Sequence, residues 1–228
     1  MTKRSDISSG RLIYTEELGW IDTGHAKGED ASILMNVLNA GDYSAKEPYF
    51  RVKYTQYMGR GRDHGVSKIT RWKVRRGLSD DDKKSIVLTI MMYTTHKFES
   101  LQGEFPFSWV TDSGYSGEDC ISNLLGFYKV ISDVDPMNYL TIISKEEAYR
   151  LWDYYGSIGK YKNKLFRPLI FPDPDEYPNN ARPYFVSLPL FLDTVKPIND
   201  IRTSQILIHV RDSTGINIGV ESEWIKIE

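Results

Sequence analysis

The sequence predicts an α+β protein with a helical central core of three to four helices, a basic β-hairpin before it and short antiparallel strands after it. Three observations predict this. Apolar residues recur at helical spacing through the middle of the chain, and two strand-like runs between residues 49 and 75 flank a glycine-rich loop. From Phe166 onward, short apolar runs alternate with proline-containing loops, so residues 166–228 read as a β-rich C-terminal part. With 228 residues, 40% of them hydrophobic and 26% charged, the chain is long enough for a sizeable core and reads as a single domain.

Residues 1–10 read as a loose tail, and "ELGWIDTGHA" (Glu17 to Ala26) as a turn bracketed by two glycines. "GEDASILMNVLNAGD" is a helix: Ile33, Leu34, Val37 and Leu38 recur at helical spacing, Glu29 and Asp30 suit the first turn, and Gly41 suits the stop. Two strands follow, Tyr49 to Met58 and Val66 to Arg75, joined by "GRGRDHG". Ser79 then caps the longest helix, which carries three acids in its first turn and an apolar stripe of Val87, Ile90, Met91, Thr94, Phe98 and Leu101, and Gly103 and Pro106 end it. After the loop "EFPFSWVTDSGYS", Ser116 opens "SGEDCISNLLGFYKVIS" as a further helix, and Ser144 with Glu147 forms a capping box for "SKEEAYRLWDYYGSIG". "RPLIF", "QILIHVR", "INIGV" and "EWIKI" are the C-terminal strands.

Cys120 is the single cysteine, which excludes an internal disulfide framework and a multi-cysteine zinc site. The opening "MTKRSDISSG" lacks the apolar stretch of a classical signal peptide, and no run is long enough for a membrane helix. The expectation is synthesis in the cytoplasm, with delivery to the envelope or beyond left to a secretion apparatus. Charge is uneven: residues 51–76 hold nine Lys or Arg (51, 53, 60, 62, 68, 71, 73, 75, 76) and one acid, Asp63. That segment is +8, so with a total of −2 the rest of the chain is −10.

Three stretches carry candidate chemistry. In the first, Asp22 and His25 are metal ligands, or an oriented His–Asp couple, or else an Asx-turn beside a His that packs or caps. In the second, His96 and Glu99 lie one helical turn apart, able to bind a metal together or to act as an acid/base pair, or simply to face solvent. In the third, Glu118 and Asp119 suit a helix start, whereas Ser122 and Asn123 are polar residues in mid-helix, where polar groups bond across to another element.

"GWIDTGH", "FESLQ" and "SGEDCISNLLG" resemble, in this order, the patterns G-[FW]-[IL]-D-x-x-H, F-E-x-x-Q and S-x-E-D-x-x-S-N-L-L-G of the bacterial DUF4056 family. The resemblance covers roughly residues 17–197; "FPDPDEYP" and "VSLPLFLDTVKP" fit the family's tail loosely, and the basic hairpin has no counterpart in the pattern. The resemblance implies an envelope-linked bacterial protein of unassigned activity. It also implies convergence of Asp22, His25, Phe98, Glu99, Gln102, Glu118, Asp119, Ser122 and Asn123 on one pocket.

Two functions follow as expectations. The first is a hydrolase of a cell-envelope polymer, glycan or peptide, with a small-molecule substrate as the alternative, acting as a secreted effector or toxin, with an immunity or delivery protein as partner. His25, His96 and Glu99 would hold a divalent metal such as zinc. Asp22 would stand behind His25, Glu118 would activate water, and Gln102, Trp109, Ser122 and Asn123 would contact substrate. A metal-free variant uses Glu99 as a general acid. The second is a non-catalytic binding module in which Tyr54, Tyr57 and Trp72, interleaved with Arg and Lys, grip an anionic partner. Nucleic acid ranks low among these partners, because no recognised nucleic-acid motif accompanies the charge. The plain alternative is that the hairpin's cations blunt a sheet edge. Cysteine chemistry at Cys120 ranks below both, because no His neighbours it in sequence.

Overall fold

The computed structural model describes residues 2–43, 47–60, 64–102, 116–177, 181–218 and 226–227. It is α+β, as its sequence predicts, with five α-helices and two four-stranded sheets among the described residues. Its residues group into two compact units, Met1–Gly28 with Gln102–Thr194, and Glu29–Leu101 with Val195–Glu228. Each is assembled from two stretches of chain.

The first unit holds helix α1 (Ser5–Ser9), strands β1 (Leu12–Thr15) and β2 (Gly19–Asp22), helices α4 (Asp119–Ile131) and α5 (Lys145–Tyr155), and strands β5 (Leu169–Ile170) and β6 (Tyr184–Phe185). The sheet order is β1-β2-β5-β6. The stretch expected as a tail therefore contains α1, held by a buried Ile7 and by a bidentate Arg4–Asp153 pair at 2.7 and 2.8 Å. Ile7, Leu12, Tyr14, Trp20, Leu151, Ile158 and Phe171 share one core. At its centre the Tyr14 hydroxyl donates to the Phe171 carbonyl and accepts from the Phe171 amide. Burial raises the Tyr14 pKa, so this hydroxyl stays protonated and can make both bonds. The Ser144–Glu147 capping box forms as expected, and the Ser144 hydroxyl bonds lower the Glu147 pKa.

The second unit holds α2 (Glu29–Asp42), β3 (Tyr49–Arg60), β4 (His64–Arg75), α3 (Asp80–Gln102, whose last residue falls in the first unit), β7 (Leu207–Ile218) and β8 (Lys226–Ile227). The sheet order is β7-β4-β3-β8, all antiparallel, and β4 is paired on both sides along its length. Ser79 accepts the Asp82 amide at 3.1 Å, the N-cap its position predicts. Asp42 at the end of α2 accepts the Gly77 amide at 2.6 Å and pairs with Lys83 at 3.1 Å; the amide bond first, then the ammonium, lowers its pKa. Phe50, Val52, Tyr54, Trp72 and Val74 form one buried face of the sheet, with Ile86, Val87 and Ile90 of α3 among the unit's other buried residues. Residues 205–211 and 216–220 were expected as two strands. Residues 207–218 instead form one, because β4 offers a continuous hydrogen-bonding edge that "RDSTG" can pair with in spite of its weak strand propensity.

Candidate functional site

The residues expected to converge are divided between the units: Asp22, His25, Glu118, Ser122 and Asn123 belong to the first, His96 and Glu99 to the second. Trp109 and the Gln102 side chain lie outside the described residues.

In the first unit the two motif stretches meet. Ser122 Oγ donates to the Glu118 carbonyl at 2.6 Å and accepts the Asp22 amide at 3.0 Å, tying α4 to the end of β2. Asp22 Oδ1 accepts the Gly24 amide at 2.8 Å, which is an Asx-turn, and Oδ2 meets Arg11 at 3.4 Å. A 3₁₀ turn then carries His25–Lys27 across α4 at Gly126. The approach is backbone on backbone: a Cβ on Gly126 would lie 2.7 Å from the His25 carbonyl oxygen, and one on Gly28 would lie 2.3 Å from that of Gly126. Gly28 also has φ +78°, a conformation that side chains resist. The His25 side chain itself is exposed.

Glu118 is 1% exposed, and both its carboxylate oxygens are engaged: Thr2 donates to Oε1 at 2.6 Å and Ser116 to Oε2. Ser116 is thereby drawn away from capping; the helix begins at Asp119, and its N-cap, Glu118, makes no side-chain cap bond. Asn163, fully buried, closes the same corner by donating to the carbonyls of Gly117 and Arg167 and accepting the Leu165 amide, each at 3.0 Å. The polar pattern that marks this stretch in the sequence is taken up by the joint between β2, the 3₁₀ turn and α4. Asn123, on the same helix, is half-buried.

In the second unit His96 is half-buried, and burial lowers its pKa, while Glu99, one turn on, is 5% exposed. Among the described residues no group of three or more His, Cys, Asp or Glu side chains is gathered as a metal site would require.

The sheet of this unit has two unlike faces. Paired residues share a face, and alternate residues along a strand do too. The face opposite the buried aromatics carries Tyr49, Arg51 and Lys53 on β3, Arg71, Lys73 and Arg75 on β4, and Ile208 and Arg211 on β7. Lys53 stands opposite Arg71, Arg71 opposite Arg211, and Arg51 opposite Lys73; the register also sets Lys226 opposite Lys53. No Asp or Glu lies on this face among the described residues, and Arg51, Lys53, Lys73, Arg75 and Arg211 make no ion pair there. Of these cations Arg71 has a described side-chain bond, to Ser213 at 2.8 Å, and the Tyr49 hydroxyl donates to the Gln205 carbonyl at 3.0 Å. Thr55 and Ser67, both buried, mark where the exposed half of the face ends.

One cluster has no counterpart in the sequence reading. His209 and Asp212 bond at 2.7 Å, the Tyr93 hydroxyl donates to Asp212 at 3.1 Å, and Trp72 and Tyr93 each hold a ring about 5 Å from His209. Residues three apart on a regular strand face opposite ways. Here an irregularity beside Arg71 and Trp72 inserts one extra residue in β7, so that His209 faces Trp72 and Asp212 faces Thr70. Burial first, and then the Asp212 charge, pushes the Tyr93 pKa up to about 12, so its hydroxyl stays a donor that ties α3 to the outermost strand.

No helix among the described residues is long and apolar enough to cross a membrane. Comparison of the chain with protein-family models, curated proteins and solved structures finds no match.

Proposed function

We propose that the protein is a binding module for a phosphate-bearing polyanion, gripped by the outer face of the β7-β4-β3-β8 sheet. One observation carries this reading: Arg71 and Lys73 lie on β4, an interior strand. Cations on an outer strand are readily explained as guards against edge pairing, but an interior strand has no edge to guard. Like charges set directly opposite one another weaken a sheet. The opposition of Arg51 and Lys73, on a face with no Asp or Glu among the described residues, makes sense where a partner supplies the negative charge. Strand spacing of about 4.8 Å and a two-residue repeat of about 6.8 Å give a cationic grid on the scale of a phosphodiester chain. Tyr49 on the same face offers a ring for stacking.

The test is titration of the intact protein with a labelled single-stranded oligonucleotide of about twenty residues, at a series of salt concentrations. Neutralising four to five phosphates predicts a slope of log K against log salt of about −3. The triple variant Lys53→Gln, Lys73→Gln, Arg211→Gln should lower that slope by about 2 and leave the fold intact. Binding that the triple variant does not change removes the proposal. Binding to anionic lipid vesicles but not to the oligonucleotide replaces it with a membrane-surface reading.

A second reading, the envelope hydrolase, has one observation in its favour. On α3 a His kept neutral by burial stands one turn from a buried carboxylate, His96 and Glu99, a pairing suited to proton transfer without a metal. Release of soluble fragments from purified peptidoglycan by the wild type, lost in Glu99→Gln, would support it.

A further inference from the structure

The first unit contains a cleft of about 710 Å³ that neither reading uses. It lies where the end of α5, the turn after it and the segment leading into β6 come together. Its volume falls within the range of about 300–1,000 Å³ typical of small-molecule sites.

Two features set its chemistry. The first is charge: Lys160, Lys162 and Arg182 line it, and among the described residues no Asp or Glu does. Asp153 pairs with Arg4, and Asp173 and Asp175 pair with Arg150. The second is a wall of rings. Tyr154 packs edge-on against Tyr155 at 4.8 Å, Tyr155 against Phe171 at 5.1 Å, and Phe171 against Tyr161 at 5.0 Å, so each ring is braced by the next. The hydroxyls of Tyr155 and Tyr161 point back into the protein, donating to the carbonyls of Pro172 at 2.7 Å and Tyr155 at 3.0 Å. Burial raises the pKa of both, which keeps them neutral donors. What remains available to a ligand is ring surface: Tyr154 is 50% exposed and Phe185 38%.

We propose that this cleft binds a small phosphorylated ring compound, a sugar phosphate or mononucleotide, with the phosphate among Lys160, Lys162 and Arg182 and the ring against Tyr154 and Phe185. The cations select the anion, and the aromatic surface selects a flat or carbohydrate ring. Lys160 also has a local structural use, since its ammonium lies near Gly156 at the C-terminus of α5, where a positive charge is favoured. Arg182 is exposed and makes no described ion pair, which leaves it available to a ligand.

The experiment is isothermal titration of the full chain with AMP, ribose 5-phosphate, adenosine and inorganic phosphate. AMP should bind saturably at sub-millimolar concentration, and adenosine and inorganic phosphate at least about tenfold more weakly, since each lacks one of the two recognition elements. Ribose 5-phosphate matching AMP identifies a sugar-phosphate site, and falling well short of it identifies a nucleotide site. Arg182→Gln and Tyr154→Ala should each weaken AMP binding about tenfold. Lys73→Gln, on the sheet of the other unit, should leave it unchanged. The proposal is overturned if no compound saturates below about 5 mM, if adenosine binds as well as AMP, or if binding survives both cleft variants.

Discussion

The turn around Asp22 and the outer face of the second unit's sheet stand out in the sequence for the same reason, polar residues where local folding does not ask for them. In the structure they part company. Around Asp22 the polar atoms are engaged: the Asp22 amide by Ser122, its carboxylate by Gly24 and Arg11, and the Glu118 carboxylate by Thr2 and Ser116. On the sheet, five cations point outward with no carboxylate among the described residues to meet them. Polar residues that break local propensity are evidence of a constraint, and the constraint can be internal. The discriminating question is whether each polar atom finds its partner inside the protein.

The comparison breaks most visibly at Gly126. If the motif's first duty is the joint, Gly126→Ala drives a methyl to within 2.7 Å of the His25 carbonyl oxygen and 3.0 Å of the Gly28 amide. A loss of about 3 kcal/mol in urea unfolding is expected, because two backbones must separate to admit it. A loss below about 0.5 kcal/mol would mean that the close approach carries no weight. Ser122→Ala comes next: it leaves the buried Asp22 amide without its acceptor, and about 1–2 kcal/mol should be lost in the same assay. Were Ser122→Ala instead to leave stability intact while abolishing an activity, Ser122 would return to the substrate contacts first expected of it.

The sheet should answer with the opposite sign. Arg51→Thr with Lys73→Thr removes two opposed cations and supplies residues with better strand propensity. Stability should stay level or rise by up to about 1 kcal/mol while affinity for the oligonucleotide falls. A cation retained at a cost to stability is the mark of a partner outside the fold. A destabilised double variant would instead make Arg51 and Lys73 structural, and the contrast between the two regions would close.

Much of this was legible in the sequence. The long helices and the hairpin strands fall within a few residues of their expected bounds, because each combines a cap or turn signal with sustained periodicity. The Ser144–Glu147 capping box was readable residue by residue. What escaped depends on contacts distant in the chain. Strands β1 and β2 have four residues each, too few for alternation to register, and they are defined by pairing with each other. Helix α1 rests on a core residue and on an ion pair to a residue about 150 positions away. The His209–Asp212 contact needs an irregularity that no residue pattern announces, and the sheet's charge became interpretable only once β4 was seen to be flanked on both sides.

The smallest effect tests the comparison from within the second unit. His96 is a polar residue for which burial has a definite sign: it lowers the folded-state pKa below the ordinary value of about 6.5. Between the lowered value and about 6.5 the unfolded chain therefore binds more protons than the folded one, and stability rises with pH across that window. The contribution is fully present above about 6.5 and is lost as the pH falls toward the folded-state value. Urea unfolding at a series of pH values should show the wild type losing more stability on acidification than His96→Gln, with the two curves running parallel above neutrality. Parallel curves throughout would mean that His96 is solvated as freely in the folded protein as in the unfolded chain. The neutral imidazole on which the hydrolase reading depends would then have no physical basis, leaving the sheet's cations as the molecule's strongest functional signal.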